Sequence, residues 1–117
     1  VSPAKRGILL LMDAIVLARR GDYDQALASI ARDADRAENF LSAPQRRTLR
    51  LIEAFAFERT KSSGYRDEPM PARLRLAIEE AREAQGGQVG YLCARWPELR
   101  AFLERHHVVQ PNQDVRS

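Results

Sequence analysis

The sequence predicts an all-α domain of about five helices. Three observations carry that expectation. Apolar residues recur at spacings of three and four along most of the chain. Glycine, proline, serine and aspartate fall between those stretches, where helices start and stop. The single alternating apolar run, Val89, Tyr91 and Cys93, has no second strand to pair with, so a turn or short helix is expected over 88–95. A chain of 117 residues holds one core. The expected domain covers 1–109, and 110–117, which has no apolar stripe, is expected to be a frayed tail.

The first helix is expected over about 5–20. Ile8, Leu9, Leu10, Leu11, Met12, Ile15, Val16 and Leu17 occupy nearly every side of it. A helix apolar all round is expected to be buried all round, either at the centre of a bundle or under a partner. Gly21 ends it, and Asp22 supplies the N-cap of the second helix. That helix, over about 23–41, is amphipathic: Tyr23, Ala26, Leu27, Ile30, Ala34, Ala37 and Leu41 form one stripe.

Ser42, with Pro44 just inside, starts the third helix, which is expected to reach about Arg59. Leu49, Ile52, Phe55 and Ala56 form its inner face, broadened by Leu51 and Phe57. Arg46, Arg47 and Arg50 crowd its first half, the unfavourable end of the helix dipole for a cation. Residues 60–70 read as an irregular loop, long for a connection between packed helices. A fourth helix follows from Pro71 to Ala84 or Gln85, with Leu74, Ala77, Ile78 and Ala81 inward. Pro97 opens the last, with Leu99, Phe102 and Leu103 inward. Phe55, Phe57, Trp96 and Phe102 are most simply core.

Composition excludes several classes. Apolar residues make up 44% and charged residues 30%, the balance of a folded soluble protein rather than a disordered or fibrous one. Lys5 and Lys61 are the only lysines among 19 basic residues, yet 16 acidic residues leave a net charge of +3. That is weak support for polyanion binding, so nucleic acid is disfavoured as a partner. Lone Cys93 excludes an internal disulfide. The basic residues and apolar run at the N-terminus outline a secretory signal, but Asp13 interrupts the run and Arg19 and Arg20 follow it. The run is also too short to span a bilayer. A cytoplasmic location with no membrane partner is expected.

The turn Gly21-Asp22-Tyr23-Asp24-Gln25-Ala26-Leu27 resembles that of a tetratricopeptide-repeat hairpin. Glycine turns the chain, aspartate caps, tyrosine staples the turn, and the small alanine lets two helices approach. Ala14 and Ile30 fit the family's small and large apolar positions, whereas Asp13, Asp33 and Glu38 depart from its pattern. The resemblance covers about residues 8–41, with no second copy at the family's period. It implies antiparallel helical hairpins packed with a C-terminal helix, and a protein-interaction scaffold without catalysis. It also implies a partner groove lined by Ile8, Leu11, Ile15 and Arg19.

Other constellations are weaker. Asp13, a carboxylate in an apolar helix, is read as a ligand-orienting group, as one half of an ion pair with an arginine of another helix, or as a residue at the edge of the buried arc. His106 and His107 are adjacent, so they point about 100° apart and do not converge on a metal. No glycine-rich phosphate loop and no Glu-x-x-His pairs occur, so no cofactor and no metal are expected. The expected function is a non-catalytic adaptor or scaffold that binds another protein, a peptide or a second copy of itself as a homodimer. The alternative is a DNA-binding, transcription-regulatory module using Arg46, Arg47 and Arg50. A third reading is a small enzyme or ligand-binding bundle built around Asp13.

Overall fold

A computed structural model describes residues 3–62, 69–84 and 94–109. Within them lie α1 (Pro3–Arg19), α2 (Tyr23–Ala37), a 3-10 turn (Glu38–Phe40), α3 (Ala43–Ser62), α4 (Ala72–Ala84) and α5 (Pro97–Arg105). The described residues contain no strand, so the all-α expectation holds. The expected tail at 110–117, the segment 88–93 and most of the 60–70 loop lie outside the described residues. So does Cys93. Residues 60–62 belong to α3, which runs three residues past its expected end.

Two chain reversals have identifiable caps. At the end of α1, Gly21 takes φ +87°, its amide donates to the Ala18 carbonyl, and the Asp22 amide donates to the Leu17 carbonyl. These are the paired bonds that close a helix on a left-handed residue. The end of α5 repeats the arrangement with His107, at φ 62°, in the glycine's place. There the His107 amide donates to Glu104 and the Val108 amide to Leu103. The start of α3 is closed by a capping box: the Gln45 amide donates to Ser42 Oγ (3.2 Å) and the Ser42 amide to Gln45 Oε1 (2.9 Å).

α1 packs most extensively on α2, with Ala14 and Ala26 fully buried, so no side chain holds the helices apart there. The 3-10 turn also packs on α1. The centre of the molecule, however, is α3. It packs against α1, α2 and α4, and every residue from Leu51 to Phe57 is buried. Of the two ways in which α1 is expected to be buried all round, the centre of the bundle is therefore corrected, because that position belongs to α3.

Phe55 is the aromatic hub. Its ring meets Tyr23 at 5.7 Å, Trp96 at 5.3 Å and Phe102 at 5.7 Å, all edge-on. These contacts tie α2 and α5 to α3. The polar residues buried on α3 are satisfied. Thr48 Oγ1 donates to the Pro44 carbonyl and Thr60 Oγ1 to Phe57, while Glu53 accepts from Arg50 and from Arg73 of α4. Glu58 in turn holds Arg105 of α5 and His106, which follows it.

Candidate partner-binding face

With α3 at the centre, α1 needs only one buried arc. Leu10, Leu11, Ala14 and Ala18 supply it, at spacings of three and four. Ile15 and Leu17 are half-buried against the core, and four others face outward: Ile8 is 41% exposed, Leu9 52%, Met12 55% and Val16 50%. Single exposed apolar side chains are normal on a protein surface, but a run of them along three turns of one helix is not scattered. Leu9, Met12 and Val16 stand one above the next, because residues three and four apart share a helix face.

The flanks of this stripe differ. On one, a shallow groove of about 490 Å³ runs between α1 and α2, lined by residues including Asp13, Leu17, Arg20, Gln25, Ser29 and Arg32. On the other, Ile15 packs against the core, and Arg19 donates to the Arg95 carbonyl (3.0 Å) with its guanidinium over the Trp96 ring. Asp13 is exposed at the groove and makes no ion pair among the described residues.

The predicted groove residues are therefore not brought to one open surface. Ile8 and Arg19 are exposed, Ile15 is half-buried, and Leu11 lies in the core. The three α3 arginines also part company. Arg46 donates to the Leu41 carbonyl (2.7 Å), Arg50 pairs with Glu53 (2.9 Å), and Arg47 is half-buried with its Nε unpartnered. Residues missed by the sequence reading are Leu9, Met12 and Val16, which it absorbed into all-round burial. The signal that finds them is their spacing of three and four on the side opposite Leu11, Ala14 and Ala18.

A second concavity, of about 370 Å³, lies where α3, α4 and α5 meet. Phe57, Met70 and Ile78 give it apolar walls, and Glu58, Arg82 and His106 are among its polar ones. His106 lies against the Phe102 ring and 3.0 Å from Glu58, and Arg82 donates to the His106 carbonyl. Glu58, Arg82 and His106 are thus already partnered, and the concavity is a seam between elements held by these hydrogen bonds. Among the described residues, no group of three or more histidines, cysteines and carboxylates is placed to hold a metal ion. Nor is any helix among them long and apolar enough to cross a membrane.

No protein-family model, no curated protein and no solved structure matches the chain.

Proposed function

We propose that the chain is a protein-interaction module that binds another protein through the outward face of α1. The observation that carries this reading is the exposed stripe of Leu9, Met12 and Val16, each half or more open to water on a helix whose other side is fully packed. Covering three large apolar side chains stabilises a complex by roughly 25 cal/mol per Å² of apolar surface removed from water. The chain's own described elements leave that surface uncovered.

A tetratricopeptide-like character of the α1–α2 pair is part of the proposal. It is supported by the left-handed Gly21, by full burial of Ala14 and Ala26, and by Tyr23 packing on Phe55. Binding is assigned to the outward stripe rather than to the line through Leu11, because Leu11 is occupied by the core. DNA binding through α3 has less support, since Arg46 and Arg50 already serve the chain's own carbonyl and carboxylate.

The test compares the intact chain with its Met12→Asp variant as affinity baits in an extract of the source organism. Circular dichroism establishes that both are folded. The expected result is a discrete protein retained by the first and lost by the second. Identical retained sets would refute the assignment.

A further inference from the structure

The groove between α1 and α2 holds two polar side chains that the fold leaves without partners. Ser29 of α2 lines it, is only 8% exposed, and makes no hydrogen bond among the described residues. Buried hydroxyls are nearly always hydrogen-bonded, so one that opens onto a groove with no partner marks a place for an outside group. Asp13, on the α1 wall, makes no ion pair among the described residues. The chain reverses at Gly21, and Asp13 and Ser29 each stand eight residues from it. Equal helical rises therefore bring them to one level on opposite walls. No hydrogen bond joins them to each other.

The chemistry of this pair selects a cation that carries N–H groups. The two arginines of the groove do not pair with Asp13, because Arg20 is engaged by Asp22 and Arg32 by Asp33, each at 3.5 Å. The Asp13 carboxylate repels an anion, and it binds a charged donor more strongly than a neutral one. Ser29 adds an acceptor for a second hydrogen. A primary ammonium is a compact charge with three rotatable donors, so it can reach both walls. A guanidinium holds its donors in one plane, which suits a single carboxylate edge. Towards the turn, Val16, Leu17 and Ala28 give the groove apolar surface. Leu17 lies four residues from Asp13, about 6 Å along the helix, the reach of a short alkyl stem.

We infer that the α1–α2 groove binds a primary ammonium group on a short alkyl stem. The nitrogen sits between Asp13 and Ser29, and the stem lies over Val16, Leu17 and Ala28. The site does not rest on the outward face of α1, since Leu9 and Met12 are not part of it.

The test titrates the isotope-labelled full chain with n-butylamine at neutral pH and follows the backbone amides by NMR. Saturable shifts are expected at Asp13, Ser29 and their neighbours on both helices. The dissociation constant is expected to be on the order of 1 mM, because the groove is open to water. Tetramethylammonium has the same charge and no N–H, and is expected to bind about tenfold more weakly. Asp13→Asn is expected to weaken butylamine about tenfold. Ser29→Ala is expected to weaken it about fivefold without lowering the melting temperature, since that hydroxyl supports no hydrogen bond in the free chain. Met12→Asp is expected to leave it unchanged.

A free amine and a protein's lysine carry the same group. Nα-acetyl-lysine methylamide binding as tightly as butylamine assigns the groove to a lysine side chain, and binding by butylamine alone assigns it to a free amine. Tetramethylammonium binding as tightly as butylamine overturns the inference, as does undiminished butylamine binding by Asp13→Asn. Shifts that grow without saturating, or that centre elsewhere on the chain, also overturn it. Tighter binding of n-butylguanidine overturns the choice of ammonium. Each of these failures leaves the α1 face standing.

Discussion

Replacing Phe55 with alanine should remove the largest share of stability that any single side chain supplies. Phe55 is buried on the central helix and touches three aromatic rings edge-on. Deleting a buried phenyl group costs about 3–5 kcal/mol, including the cavity it leaves. The three ring contacts, each about 0.5–1.5 kcal/mol beyond area burial, place this site at the upper end of that range. A domain of this size is held by about 5–15 kcal/mol, so the variant should be marginal and melt roughly 15–20 °C lower. Phe55→Leu keeps most of the apolar volume and loses the ring edges, so about 1–2 kcal/mol is expected. Urea unfolding followed by far-ultraviolet circular dichroism and by the fluorescence of Trp96, the only tryptophan, measures both. A double-mutant cycle of Phe55→Leu with Phe102→Leu should return a coupling of about 0.5–1.5 kcal/mol. A loss below about 1 kcal/mol for Phe55→Ala, together with no coupling to Phe102, would refute the placement of α3 at the centre with α5 docked on it.

Other substitutions test the remaining devices of the fold. Gly21→Ala should destabilise by about 1–2 kcal/mol, since nothing crowds an added methyl and the penalty is that of the left-handed backbone alone. His107→Gly, at the equivalent position after α5, should stabilise by about 0.5–1 kcal/mol, and no gain in urea midpoint would contradict it. Ser42→Ala removes the first half of the capping box and should lower stability by about 1 kcal/mol. Glu53→Gln leaves Arg50 and Arg73 without their buried carboxylate and should lose about 1–2 kcal/mol. Arg73→Ala should lose less, because the Arg73 side chain is half exposed and screened by water.

Much of this architecture is legible in the residues. Gly21, Ser42 and Pro97 mark boundaries because each has a local reason to sit there: a left-handed backbone, a side-chain cap, and a first-turn position that needs no amide donor. The inward stripes of α4 and α5, and the buried Ala26 and Ile30 of α2, follow from spacing alone. The choice of central helix does not. α1 and α3 both carry apolar residues beyond a single face, and α1 looks the greasier because α3 mixes in Thr48, Glu53 and Thr60. Those polar groups are buried at little cost only because carbonyls and arginines meet them, and Arg73 comes from another helix. Periodicity sees one helix at a time, so it cannot weigh such partners. The same limit concealed the candidate site. Once α3 is central, α1 needs one packed side, and the Leu9–Met12–Val16 line is left to face water.

The central claim is that this line meets another protein. A photo-crosslinking amino acid placed in turn at Leu9, Met12 and Val16 in the source cell tests it most directly, with Glu80 on the exposed side of α4 as the control. The account predicts one discrete adduct, shared by the three α1 positions and missing from Glu80. Adducts that are absent from α1, or no different from those at Glu80, would contradict it.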